Sequence, residues 1–224
     1  MEKKKKLSIS IALVVILALV GSVLAYLFAS SGADNEIKVT NADASIAEEF
    51  EGSNLKTGYN VYKKKVPIKN SGESPCFVRV YMDFSDSSVI DSGDIKTYFS
   101  NAVNEPAAPA QGGSISDDWK PASNKEAWLS GGKWVYVEND GNVVNGSGSV
   151  NSGLSGYYYY TEPVQPGAST EPLISWVMTY FGSTVKVYDI LVYTETVQTV
   201  GIDGTDYSVN DNWADAWKAY LHIN

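Results

Sequence analysis

From residue 76 to residue 84 the chain alternates without a break. Cys76, Val78, Val80, Met82 and Phe84 fall on one side, and Phe77, Arg79, Tyr81 and Asp83 on the other. Successive side chains of an extended chain point to opposite faces, so nine residues of this period read as a half-buried strand. Val61, Tyr62, Val66 and Ile68 read as the strand before it. Asn70, Ser71, Gly72 and Glu73 form the turn between them, since Asn and Gly tolerate the positive φ of hairpin turns. Further strands are expected at 37–40, 44–50, 134–138, 157–161, 173–180 and 184–198. In the last of these Val185, Val187, Ile190, Val192 and Val197 do not keep one parity, which predicts a bulge or bend near Asp189.

Two stretches break this pattern. Residues 85–127 are rich in Ser, Asp, Ala, Pro and Gly with one short helical segment at 95–103, and read as a loop-rich insertion over one end of the sheets. Residues 139–156 read as a flexible low-complexity loop. Near the C-terminus Trp213, Ala216, Trp217, Tyr220 and Leu221 recur at helical spacing, with Asn210 or Asp211 as N-cap. Many short strands with turn signals and one terminal helix specify an all-β fold. The expected architecture is an antiparallel, jelly-roll-like β-sandwich with a short C-terminal helix.

The first residues carry a different signal. Lys3, Lys4, Lys5 and Lys6 precede an uncharged, largely apolar run at 7–28, longer than an ordinary signal-peptide core and long enough to span a bilayer as a helix. Residues 1–33 therefore read either as a signal peptide or as a retained membrane anchor. Small residues suited to signal peptidase precede Tyr26 (Val23, Ala25) and Asp34 (Ser31, Ala33). In both readings the lysines stay cytoplasmic and residues 34–224 are exported as one domain. Removal of residues 1–33 takes four Lys and one Glu away and leaves 13 basic against 25 acidic residues, a charge of −12.

That charge argues against nucleic acid as a partner, because nucleic-acid affinity rests on Lys and Arg displacing counterions. Arg79 is the only arginine, His222 the only histidine and Cys76 the only cysteine of the 224 residues. One histidine cannot supply a zincin pair, and a catalytic triad would have to use a residue next to the chain end. No catalytic residues, metal ligands or cofactor are expected. Cys76, inside the alternating strand, reads as a small buried hydrophobe. The carboxylates at 83–94 and 203–215 read as solvated loop residues, since Asp203 and Asp206 lack the order of a calcium loop. Tyr157, Tyr158, Tyr159 and Tyr160 read as a strand whose alternate rings fill the core. Trp119 and Trp128, in or beside the insertion, are the candidate contacts for a glycan or protein partner.

The order of these segments resembles the TasA/camelysin family of exported bacterial proteins. The first likeness is 37–41 leading into Ile46 and Glu48. The most specific is 65–80, where Asn70 and Gly72 match an N-x-G turn and Phe77, Val78, Arg79 and Val80 match a Y/F-V-R-V strand. Tyr157 to Tyr160, with Pro166, Gly167 and Thr170 to Leu173, resemble the family's Y-Y-Y, P-G and T-x-x-L segment. Val197, Gln198, Ala216 and Trp217 resemble its V-Q and A-W motifs.

The resemblance implies a jelly-roll protein of the extracellular matrix or cell surface, released by a dedicated signal peptidase. It further implies self-association into fibres, in which the N-terminal segment of one subunit, here within 26–39, completes the sheet of the next. A peptidase activity attached to some members is not expected, because no residues match a zinc-ligand set. The function expected is thus a structural subunit of matrix or biofilm fibres in a Gram-positive-type bacterium. The alternative is a membrane-tethered binding module acting through Trp119 and Trp128.

Overall fold

The computed structural model describes residues 44–46, 49–51, 55–110 and 112–223, and in them the period-two stretches become strands. In chain order these are β1 (Ala44–Ile46), β2 (Glu49–Glu51), β3 (Gly58–Lys65), β4 (Ile68–Asn70), β5 (Cys76–Phe84) and β6 (Ile95–Ser100). They continue as β7 (Lys120–Pro121), β8 (Trp134–Val137), β9 (Val143–Val144), β10 (Tyr158–Tyr160), β11 (Trp176–Phe181) and β12 (Ile190–Gln198). Two helices are α1 (Lys125–Leu129) and α2 (Trp213–Leu221). The segments expected at 1–33 and 37–40, with the cleavage sites at Ala25, Tyr26, Ala33 and Asp34, lie outside the described residues.

The strands form two five-stranded antiparallel sheets, ordered β12-β5-β10-β8-β9 and β2-β3-β11-β6-β7, with a short β1–β4 pair beside them. Three antiparallel pairs nest inside one another in sequence: β8 with β10, β6 with β11 and β5 with β12. The middle pair lies in the second sheet and the other two in the first, so one long folded hairpin wraps across both layers, the winding of a jelly roll. The protein is an all-β antiparallel sandwich. Its inner core joins Val78, Val80 and Phe84 of β5 to Ile95 and Phe99 of β6 and Val177 and Phe181 of β11. The Phe84 and Phe99 rings stack at 6.0 Å between centroids. Each fully buried side chain of this size contributes about 1.5–3 kcal/mol.

A second cluster lies under α2, where Trp217 packs on Val135, Val137, Leu154 and Tyr159. The first sheet is therefore covered on both faces around β8 and β10. This explains why Tyr158, Tyr159 and Tyr160 are all buried rather than in alternation, with Tyr158 and Tyr160 in the inner core and Tyr159 beneath the helix. Polar atoms inside the sandwich find one another. Thr97 Oγ1 donates to the Val89 carbonyl at 2.8 Å, and the Tyr62, Thr179 and Tyr188 hydroxyls form one hydrogen-bonded group.

Several expectations are corrected. Residues 95–103 do not form a helix: Ile95, Thr97 and Phe99 are buried in alternation and pair with β11, so β6 is an inner strand of the second sheet. The stretch 85–127 is thus not an insertion outside the sheets. It supplies β6, β7, α1 and a 3-10 turn, Ser87–Val89. Residues 139–156 contain β9 and a 3-10 turn, Ser152–Leu154, with Leu154 fully buried. There Val150 N–H bonds the Gly141 carbonyl at 2.9 Å, and a Cβ on Gly141 would meet the Val150 carbonyl oxygen at 2.3 Å. Residues 44–50 divide into β1 and β2, which pair with different strands. The last strand starts at Ile190, and the parity change before it marks loop entering strand rather than a bulge. The N-cap of α2 is Asn212, because Asn210 and Asp211 take positive φ.

Candidate functional site

Strand register brings the single arginine to a defined place. Arg79 on β5 stands opposite Glu195 on β12 and Tyr159 on β10. Its Nε donates to Glu195 Oε2 at 2.5 Å. Its guanidinium lies between the rings of Tyr157 and Trp217, 4.1 and 4.4 Å from their centroids. Arg79 is only 5% exposed, and an arginine buried this far needs both its charge and its plane satisfied. Burial works against its charge, and hydrogen bonds to Tyr159 and Glu195 more than restore it, so its pKa is raised. The Tyr159 hydroxyl donates to the Leu154 carbonyl at 2.7 Å, and burial pushes this phenol up to about 12 against the pull of Arg79. The Trp217 indole N–H is buried with no partner among the described residues. Arg79 is thus a clamp that ties α2 to three strands.

The other motif residues gather around Asn70. Its Nδ2 donates to the carbonyls of Ser74 at 2.9 Å and Val164 at 2.8 Å, and its Oδ1 accepts from Gly72 N–H at 2.9 Å. Gly167, at φ +77°, donates its N–H to the Asn70 carbonyl at 2.9 Å, so the Pro166-Gly167 turn is stapled to the 70–74 turn. Val197 and Gln198 stand in register with Phe77 and Cys76. Cys76 is fully buried, and burial pushes its thiol up to about 12.

Trp119 and Trp128 are not where partner contacts were expected. Both are buried, and their indole N–H groups donate to the carbonyls of Ala107 at 3.1 Å and Ala122 at 3.3 Å. Trp128 packs edge-on against Phe99 at 5.1 Å. Trp128 belongs to the inner core, and Trp119 is buried just before β7, because the segment holding them contributes to the second sheet. The loop carboxylates are local caps. Asp86 accepts from Ser88 N–H and Lys186 Nζ, Asp94 from Ser183, Asp203 from Thr205 and Asp206 from Ser208. No group of three His, Cys, Asp or Glu side chains among the described residues is placed to hold a metal ion.

The sheet edges differ sharply from one another. The outermost strands β2, β7 and β9 have three, two and two residues, whereas β12 has nine. Short edge strands are one way proteins avoid uncontrolled pairing. Ser85 N–H bonds the Asp189 carbonyl at 2.9 Å and Thr199 N–H bonds the Pro75 carbonyl at 3.2 Å, so odd-numbered residues of this strand face β5. By the alternation of antiparallel ladders, the N–H and C=O of Ile190, Val192 and Thr194 turn outward. Lys64 Nζ reaches the Ile190 carbonyl at 3.5 Å. Among the described residues β5 is the only strand hydrogen-bonded to β12, and β1 lies close to it without pairing. The same strand exposes apolar side chains, with Leu191 at 40% and Tyr193 at 61%. Tyr193 lies 6.4 Å from Tyr81, which lies 5.9 Å from Tyr157 of the clamp. This edge was missed in the sequence, although apolar residues on both parities of 190–198 are its signature.

Comparison of the chain with protein-family models, with curated proteins and with solved structures gave no match.

Proposed function

We propose that this chain is an exported, non-enzymatic structural protein, a subunit of extracellular-matrix or biofilm fibres that assembles by strand donation. The observation that supports this best is β12, a nine-residue edge with outward backbone groups at Val192 and Thr194 and exposed apolar side chains beside them. An edge strand with outward N–H and C=O groups is a template for another strand, and a donated strand satisfies the groups at Val192 and Thr194. The donor is the mature N-terminal segment within 26–39 of the next subunit, freed by signal peptidase from a membrane-inserted precursor. Donation from one subunit to the β12 edge of the next is a head-to-tail contact, and such a contact propagates as a filament. The sequence resemblance to TasA/camelysin proteins supports the same reading.

Negative-stain imaging of the mature chain tests it against two variants. Removal of residues 26–39 takes away the donor, and Thr194→Pro removes an outward N–H that β5 does not use. Both are expected to give folded monomers that do not elongate. Filaments formed by either variant at the parent rate contradict donation to this edge.

A further inference from the structure

A cleft of about 340 Å3 opens where the β8–β9 hairpin meets the first turn of α2. Its wall includes Lys133, Asn145, Ser147, Thr161, Asp211 and Trp213. The Trp213 indole is half-buried and is backed on one face by Tyr159, with centroids 4.7 Å apart and planes 31° from parallel. Such backing restricts the ring before a ligand arrives, which lowers the ordering cost of binding.

The polar groups of the wall are also set in advance. Asn145 Nδ2 donates to the carbonyls of Leu129 at 2.7 Å, Gly132 at 3.2 Å and Trp134 at 2.8 Å. Three carbonyls around one nitrogen fix the amide and leave Oδ1 as an oriented acceptor. Neither that oxygen nor the Trp213 indole N–H is buried without a partner, and neither is bonded to any described residue, so both are open to a ligand. Lys133 Nζ is held by Glu162 Oε2 at 2.6 Å, and Asp211 stands exposed at the lip. The cleft therefore has no cation to spare and a carboxylate at its mouth, which disfavours phosphate, sulfate and acidic sugars.

We infer that this cleft binds a neutral saccharide ring. A pyranose carries a C–H face that packs on an aromatic plane and a rim of hydroxyls that both donate and accept. Trp213 supplies the plane and a donor, Asn145 and Asp211 supply acceptors, and the Ser147 hydroxyl does both. Clefts of this size with one aromatic wall and a few converging polar groups are typical of small-molecule sites. The site is separate from β12 and does not depend on strand donation.

Calorimetric titration of the full chain with glucose, galactose, mannose and N-acetylglucosamine tests the inference. Saturable binding of at least one of the four is expected. It is expected to weaken tenfold or more in Ser147→Arg, which fills the mouth from an exposed position and leaves the melting temperature unchanged. Trp213→Phe keeps the packing on Tyr159 and removes the indole donor, and weakens binding by a smaller factor. No saturable heat with any of the four sugars overturns the inference, as does binding indifferent to Ser147→Arg or tighter binding of glucuronate than of the neutral sugars.

Discussion

Arg79 and Glu195 face each other across β5 and β12, and the guanidinium Nε bonds Glu195 Oε2 at 2.5 Å from opposite sides of the water boundary. The arginine side chain is 7% exposed and the carboxylate 48%. The pair is therefore unequal. Glu195 keeps half its hydration, whereas Arg79 depends on Glu195, Tyr159 and two aromatic rings for everything water gave it.

Arg79→Ala is expected to destabilise the fold by about 2–4 kcal/mol, since it removes stacked area and strands the packing of Trp217 and Tyr157. Glu195→Gln is expected to cost about 1 kcal/mol or less, discounted for the exposure of the carboxylate. Urea unfolding curves of the two variants check the asymmetry. Equal losses would mean that the ion pair rather than the stacking holds the helix.

Trp217 and Tyr220 lie on the same helix with rings 5.8 Å apart, but the first is fully buried and the second 57% exposed. Trp217→Ala is expected to cost about 3–5 kcal/mol and to loosen α2 from the sheet. Tyr220→Ala is expected to stay within about 0.5 kcal/mol of the parent. Thermal melts with far-ultraviolet circular dichroism distinguish the two.

Asn70→Ala removes the hydrogen bonds of this side chain to the Val164 and Ser74 carbonyls and from the Gly72 N–H, while the Val164 carbonyl keeps the Cys76 N–H. A loss of about 1–3 kcal/mol is expected for the removal of these buried hydrogen bonds. Asn70→Asp is expected to be no better, because a carboxylate cannot donate to two carbonyls. Chemical denaturation of both variants checks this.

Asp86 has its pKa lowered to about 2 by hydrogen bonds from Ser88 and Lys186. A carboxyl whose folded pKa is depressed stabilises the fold above its unfolded pKa, and that contribution fades as pH falls toward 2. Asp86→Asn is therefore expected to lower the melting temperature at neutral pH and to leave it unchanged near pH 2. A parallel loss at both values would contradict a charge effect.

Much of the first sheet was legible in the sequence because one face of β5 is apolar at every position, although Phe77 and Arg79 of its other face are buried as well. Helix α2 was legible for the same reason at period 3.6. Strand β6 was not, since two of its four buried positions, Thr97 and Ser100, are polar and the stretches on either side are loop-like in composition. Trp119 and Trp128 looked available because their surroundings are polar in sequence, whereas in space Trp128 packs on Phe99 of β6 and the Trp119 indole donates to the Ala107 carbonyl. The clamp was visible as separate motifs. Its geometry depends on the register of β5 with both β10 and β12, which no local pattern encodes. The β12 edge escaped notice because openness is a property of strand order, not of the strand.

Hydrogen exchange at the Val192 and Thr194 amides, compared between dispersed chains and assembled material, tests the central claim most directly. Fast exchange in the dispersed chain and strong protection of these two amides after assembly are expected, since a donated strand bonds them. Assembled material in which both amides still exchange as fast as in the dispersed chain would contradict strand donation to β12.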